Sequence, residues 1–264
     1  MAESQPVRLC IDRVVPDELN PARAAAEQSI VENALRTMRS PLPDIDALDI
    51  SHPVSRMAIV TVKKWPNAST LKCRFLDGSP TQRKKVQEKA KMWEEFANVT
   101  LKFVKSSDEQ IRISFRADPG SWSALGTDAL VRAYFPKHQP TMNFGWLRDG
   151  TPDAECERVV VHEFGHALGA IHEHQSPKAA LNWNTAEVYR YFSGPPNYWS
   201  KEDIDFNVLQ RYSREQANAT KFDRKSIMLY AFPSALFTDG KGTEQNNQLS
   251  AADKKFIAQM YPRS

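Results

Sequence analysis

Three histidines and one glutamate stand close together in the stretch HEFGHALGAIH, which begins at His162. On a helix, His162 and His166 are four positions apart, so both imidazoles project from one face and can share a metal ion. Glu163 lies beside the first histidine, where a carboxylate can accept a proton from an attacking water. Gly169 lets the chain leave the helix sharply, so that His172 can return as a third nitrogen ligand.

Two simpler explanations of this stretch are coincidence and a structural metal site. A bare HExxH pattern arises by chance on the order of once in a hundred sequences of this length, and the added glycine and third histidine lower that to roughly one in a hundred thousand. A structural zinc site normally closes with a fourth protein ligand, whereas three ligands leave one coordination position open. The stretch therefore indicates a single catalytic Zn²⁺.

Apolar periodicity indicates the elements that would position these residues. Helices are predicted over 81–97 and Glu155–Leu168, and a third is predicted at the C-terminus, capped by Ser250 and Asp253 and stopped by Pro262. Strands are predicted in six runs: 57–62, 71–76, 99–104, 110–115, 122–125 and 142–144. This order predicts an α+β fold with a twisted mixed sheet backed by helices.

At the histidine stretch the chain resembles the metzincin zinc metallopeptidases, whose motif is HExxHxxGxxH. Downstream, the segment SIMLY is similar to the family's Met-turn, with Met228 beneath the metal. Glu173, directly after the third histidine, and Tyr230, at the end of the Met-turn segment, resemble the astacin subfamily. The inner segment HEFGHALG is also similar to matrixins. Without the resemblance, Met228 would be read as a core residue and Tyr230 as a packed aromatic.

The resemblance implies a zincin-like catalytic domain with a five-stranded mixed sheet, an active-site helix, a Met-turn and a C-terminal helix. It implies that Tyr230 is a displaceable fourth zinc ligand that stabilises the transition state, and that Glu173 helps to anchor the mature N-terminus. It also implies that 121–126 is the edge strand lining the cleft. One departure is the cysteine count, because astacins usually have four cysteines in two disulfides and this chain has three.

These residues predict a zinc-dependent endopeptidase that hydrolyses peptide bonds in proteins. Glu163 is expected to act as general base toward a metal-activated water, and Tyr230 to stabilise the developing oxyanion. The alternative is a non-enzymatic zinc-binding or interaction module on a metzincin scaffold. The presence of Glu163 argues against that alternative, since a degenerate enzyme often lacks its base.

Residues 1–55 differ from the rest and are predicted to be an N-terminal extension or pro-segment, ahead of a catalytic domain over 56–264. Cys10 is a candidate latency ligand, because a pro-segment thiolate can fill the open zinc position. Asp44, Asp46 and Asp49 are aspartate alternatives for the same role. The competing explanation is that Cys10 is incidental and the three acids are solvated.

Composition excludes several other classes of protein. The net charge of +3 over 264 residues is too weak to argue for nucleic acid. No apolar run is long enough to span a membrane. The expected partner, from the metallopeptidase motif, is a peptide or protein substrate. No secretory signal is recognisable, which favours a cytoplasmic or non-classically exported protein, whereas the family resemblance favours an extracellular one. Cys10, Cys73 and Cys156 are expected to be mainly reduced thiols.

Overall fold

The computed structural model describes residues 11–15, 58–60, 63–117, 120–195, 197–212, 217–219 and 221–263. Its strands are β1 (Ile11–Arg13), β2 (Ala58–Val60), β3 (Thr70–Phe75), β4 (Thr100–Phe103), β5 (Ile111–Ser114), β6 (Ser121–Ala124), β7 (Met142–Phe144) and β8 (Ala217–Ala219). Its α-helices are α1 (Pro80–Ala90), α2 (Asp153–Ala167), α3 (Thr185–Ser193), α4 (Lys201–Ile204) and α5 (Ala251–Met260). Short 3₁₀ segments cover Lys91–Glu95, Gly126–Leu130, Glu173–Gln175 and Ser234–Leu236, and a π-helical turn covers Asp205–Leu209.

The main sheet has the strand order β1-β6-β7-β5-β3-β4. Strands β4, β3, β5 and β7 are parallel to one another, and β6 is antiparallel to β7. Strands β3 to β7 therefore form the mixed five-stranded sheet that the family resemblance implied. Strand β1 adds a sixth member by pairing in parallel with β6, with Ile11 opposite Trp122 and Arg13 opposite Ala124.

The strand predicted over 57–62 corresponds to β2, but β2 lies outside the main sheet. It pairs with β8 in a separate antiparallel ribbon, with Ala58 opposite Ala219. An apolar run shows that a strand can form, but every strand offers the same backbone donors and acceptors to any partner. Pairing is therefore decided by the tertiary structure.

Helix α1 begins at a complete capping box. The Ser79 hydroxyl accepts the backbone N–H of Gln82, the Gln82 side chain accepts the N–H of Ser79, and Pro80 takes the first helical position. The helix predicted over 81–97 changes to a 3₁₀ segment at Lys91. This tighter turn buries Trp93, whose indole N–H donates to the carbonyl of Val161 on α2 at 2.9 Å.

Helix α5 has the cap that its sequence predicted. The Ser250 hydroxyl accepts the N–H groups of Ala252 and Asp253, and the Asp253 carboxylate accepts the Ser250 N–H. Asp253 is fully buried, so this cap also belongs to the interior of the protein.

The buried side chains form two hydrophobic clusters. The larger one joins the sheet to α1 and α2 and includes Phe164 and Met228. The smaller one lies around α3 and α4 and includes Phe192 and Tyr230. Met228 and Tyr230 are two residues apart, so the segment that contains them passes from one core to the other. This is where the histidines of α2 also lie.

Candidate metal centre

Helix α2 supplies His162, Glu163 and His166, all of them buried. The helix ends in a Schellman-type turn, in which Gly169 has a φ of 92° and donates to the carbonyl of His166. The next residue, Ala170, donates to the carbonyl of Gly165 at 2.9 Å. The turn reverses the chain, so that His172 faces the two helical histidines as the spacing predicted.

The three imidazoles converge through their Nε2 atoms. His166 Nε2 lies 3.2 Å from His162 Nε2 and 3.0 Å from His172 Nε2, and all three side chains can offer ligand atoms within 4.8 Å of one another. Zinc–nitrogen bonds of about 2.0–2.1 Å in a tetrahedral site separate the ligand atoms by roughly 3.3 Å. The donor set and its spacing therefore fit a zinc ion.

Each imidazole is held through its other nitrogen. His162 Nδ1 donates to the carbonyl of Ile227 at 2.8 Å, and His166 Nδ1 donates to the carbonyl of Ala170 at 2.8 Å. A carbonyl only accepts, so Nδ1 carries the proton and Nε2 presents a lone pair. Burial, followed by the neighbouring His166, lowers the pKa of His162 and His172 well below its usual value. Both are therefore neutral, as metal ligands must be.

Gln175 holds His172 through its Nδ1 atom in the same way. The sequence did not predict this contact. Its Oε1 lies 3.2 Å from His172 Nδ1, and its amide nitrogen donates to the carbonyl of Phe206 at 2.7 Å. The contact ties the third histidine to the π-helical turn. A glutamine three positions after the last motif residue has no distinctive spacing, so only the folded 3₁₀ segment reveals this contact.

The Met-turn segment supports the histidines from the other side. Met228 is fully buried, and its carbonyl accepts the N–H of Glu173 at 3.0 Å. Asp253 on α5 accepts the N–H of Ile227 at 2.9 Å and the hydroxyl of Ser226 at 2.8 Å. The carbonyl of Ile227 in turn accepts the hydrogen bond from His162 Nδ1. The C-terminal helix therefore positions the first histidine through the Met-turn segment.

Tyr230 reaches the histidine cluster. Its hydroxyl is within hydrogen-bond distance of His172 Nε2, the nitrogen that faces the other two imidazoles, and its ring centroid lies 4.2 Å from that of His172. The Tyr230 side chain is almost completely buried. A phenol placed here can act either as an additional ligand or as a proton donor to a bound substrate.

Glu173, expected to anchor the mature N-terminus, is buried and accepts the backbone N–H of Asp223 at 2.8 Å. Burial raises the pKa of its carboxyl well above the usual value. Its contacts therefore link the residue after the third histidine to the segment that enters the Met-turn. The anchoring role remains a prediction.

Strand β6 is the cleft-lining candidate, and it packs close to α2. One of its edges pairs with β7 and the other with β1. Cys10, the candidate latency ligand, and the alternatives Asp44, Asp46 and Asp49 lie outside the described residues. Cys73 and Cys156 are both buried free thiols, as expected for reduced cysteines.

Comparisons with known proteins agree with this geometry. The family model of the matrixins, peptidase family M10, matches residues 64–205, more than half of the chain. A solved structure of myroilysin is 47% identical, with a TM-score of 0.76 over 78% of this chain and 99% of that chain. A second, a crystal structure of myroilysin, is 45% identical, with a TM-score of 0.59 over 76% of this chain and 86% of that chain.

A more distant structure is high choriolytic enzyme 1, a hatching-enzyme zinc protease from the medaka fish Oryzias latipes. It is 19% identical, with a TM-score of 0.48 over 75% of this chain and 92% of that chain. No curated protein sequence matched the chain. From the matrixin match, the myroilysin structures and the histidine triad, the chain belongs to the matrixin family of metzincin zinc metalloendopeptidases.

Proposed function

We propose that this protein hydrolyses peptide bonds in protein substrates with one catalytic Zn²⁺ held by His162, His166 and His172. The observation that carries the proposal is the convergence of three buried Nε2 lone pairs, with the Tyr230 hydroxyl at His172 Nε2 and the buried Glu163 next to His162 on the same helix. Three protein ligands leave room for water and substrate, which a closed structural site would not.

Bound zinc would supply Lewis acidity, activating a water for attack and polarising the scissile carbonyl. Glu163 would accept the proton of the attacking water and deliver it to the leaving amine. Tyr230 would donate a hydrogen bond from its phenol to the oxyanion that develops at the carbonyl. That charge exists only in the transition state. Gln175, Ile227 and Ala170 would keep the three imidazoles in one tautomer and orientation.

Replacing Glu163 tests the mechanism. Glu163→Ala is expected to keep one zinc per chain and to lower kcat/KM for a protein substrate by about 10²–10⁴-fold, because it removes only the proton acceptor. Zinc content after dialysis and a fluorogenic peptide assay measure the two quantities. Glu157→Ala, on the same helix but paired with Lys89, is the matched control and should retain activity.

The alternatives predict different outcomes of the same assays. A non-enzymatic zinc module would show no cleavage by the wild-type chain, and a structural zinc would make a chelator unfold the protein without any cleavage to lose. Cleavage by Glu163→Ala at the wild-type rate would remove Glu163 from its role.

The N-terminal residues are proposed to hold the enzyme latent, with a pro-segment over 1–55 and a catalytic domain over 56–264. An extended substrate can bind by adding a strand to the free edge of a cleft-lining strand. Among the described residues, β7 pairs with one edge of β6 and β1 pairs with the other. Strand β1 therefore occupies the edge that a substrate strand would need. Cys10 immediately precedes β1 in the sequence, which supports its candidacy as the latency ligand.

The N-terminal residues could block the site in two ways: β1 could occupy the edge of β6, or the Cys10 thiolate could bind the metal. Two variants distinguish these possibilities. A chain starting at residue 56 is expected to cleave peptide faster than the full chain, whichever of the two operates. Cys10→Ser in the full chain should raise activity only if the thiolate binds the metal. Equal activity of the full and shortened chains would rule out latency.

The expected partners are peptide or protein substrates. Among the described residues, none of the helices has the length and apolar character needed to cross a membrane. The resemblance to the astacin subfamily rests on Glu173 and Tyr230, and kinetics of Tyr230 variants test whether the tyrosine has the role that this resemblance implies.

A further inference from the structure

A cavity of about 210 Å³ lies against the main sheet on the face that carries Trp122 and Asn143. These two residues are opposite each other in β6 and β7, so their side chains are neighbours. The loop between the two strands contributes Tyr134 and Phe135 to the lining. None of the residues lining the cavity belongs to the histidine cluster, the Met-turn or α2. The cavity is therefore separate from the metal centre.

The cavity is cationic. Two guanidinium groups line it, those of Arg13 and Arg116, and none of the described lining residues carries a carboxylate. Neither arginine forms an ion pair within the described part of the chain. Arg13 lies over the Trp122 ring, 3.9 Å from its centroid, and Arg116 is oriented by a hydrogen bond to Gln139 Oε1 at 3.0 Å. Two guanidiniums that have no carboxylate partner among the described residues favour an anion between them.

The sheet order indicates the shape of the anion. Arg13 belongs to β1 and Arg116 follows β5, and these strands are three inter-strand steps apart. At about 4.8 Å per step their backbones are roughly 14 Å apart, so the guanidiniums approach from opposite sides. Phe135, Pro136 and Pro140 supply apolar walls. The volume is below the roughly 300–1,000 Å³ of sites for drug-sized ligands, which favours a small molecule.

We propose that this cavity binds a small organic dicarboxylate, with one carboxylate at Arg13 and the other at Arg116. Because Arg13 lies on β1, the ligand joins the N-terminal strand to the rest of the sheet. A ligand that binds only when β1 is in place also stabilises the pairing of β1 with β6. The proposal requires neither zinc nor peptidase activity.

Calorimetric titration of the full chain with succinate at 0.15 M salt tests the proposal. Succinate is expected to bind saturably and more tightly than acetate or inorganic phosphate. Arg116→Gln should weaken succinate binding at least roughly tenfold, because it removes a charged donor. Arg13→Gln, which removes the other guanidinium, should weaken it by a similar factor. Hydrogen exchange at residues 11–13 should slow when succinate is present.

Arg190→Gln is the matched control, since it removes the same charge from an exposed site on α3. It should bind succinate like the wild type. The proposal is overturned if the wild-type chain shows no saturable succinate binding, or if Arg116→Gln and Arg13→Gln bind succinate as the control does. Equal affinity for phosphate, acetate and succinate would also overturn the assignment to a dicarboxylate.

Discussion

Tyr230 lies 58 residues after His172 in the sequence, yet its hydroxyl reaches the metal-facing nitrogen of that histidine. The tyrosine is held by aromatic neighbours, with ring centroids 5.1 Å away at His174 and 5.6 Å away at Phe232. Its backbone carbonyl accepts a hydrogen bond from the Thr243 hydroxyl. A phenol fixed in this way loses little conformational entropy when it donates a hydrogen bond to a developing charge. It should therefore stabilise the transition state more than the bound substrate.

Tyr230→Phe is therefore expected to lower kcat by about 10²-fold, the usual effect of removing one oxyanion donor, with a much smaller change in KM and no loss of zinc. Steady-state kinetics and zinc analysis measure these quantities. Tyr198→Phe removes the same hydroxyl from a side chain that is 71% exposed, and it should leave kcat unchanged. Wild-type kcat in Tyr230→Phe would mean that the phenol is only a packing residue.

At the scale of elements, the close approach of α2 to the Met-turn depends on a glycine inside the helix motif. A Cβ built on Gly165 would lie 2.5 Å from Met228 Sδ and 3.2 Å from Trp93. Both neighbours are fully buried, so neither side chain can move without displacing other core residues. The glycine between the first two histidines therefore allows the turn to lie directly beneath them.

Gly165→Ala should destabilise the protein by about 1–3 kcal/mol, because overpacking outweighs the better helix propensity of alanine. Chemical denaturation measures the free energy of unfolding. Gly150→Ala is the matched control, since a Cβ there meets nothing within 4 Å. Equal unfolding free energies for the two variants would contradict this account of the packing.

At the scale of the whole molecule, a buried carboxylate connects the C-terminal helix to the metal centre. Asp253 accepts N–H groups from Ile227 and from Ser250, and burial raises its pKa to about 6 from the ordinary value of 3.8. The folded protein therefore holds this proton more tightly than the unfolded chain does. The stabilisation is fully present below about pH 4 and is lost as the pH rises to about 6.

Over that window Asp253 should make the free energy of unfolding fall by about 3 kcal/mol as the pH rises, at about 1.4 kcal/mol per pKa unit. Asp253→Asn should be less stable at every pH, because it loses an acceptor for backbone N–H groups, but it should lack this part of the pH dependence. Urea titrations at several pH values compare the slopes. Asp239→Asn, at an exposed turn, should keep the wild-type slope. Parallel curves for the wild type and Asp253→Asn would contradict the prediction.

The sequence by itself determined the cluster of three histidines, the helix that carries two of them and the family. His162, Glu163, His166 and His172 lie within a single short stretch, so the helical period and one glycine turn bring them together without any distant contact. Helix α5 and its cap were predictable for the same reason. Each of these features is produced by hydrogen bonds between residues a few positions apart.

Only the tertiary structure decided which strands pair and which side chains support the metal centre. The pairing of β1 with β6 and of β2 with β8, the contact from Gln175 to Phe206, and the bond from Ile227 to Asp253 all join residues far apart in the chain. Backbone donors and acceptors are chemically alike at every strand edge, and a buried polar side chain takes whichever partner the packed core places beside it. Such contacts have no local sequence signal, because the partner is chosen by the packing of the whole fold.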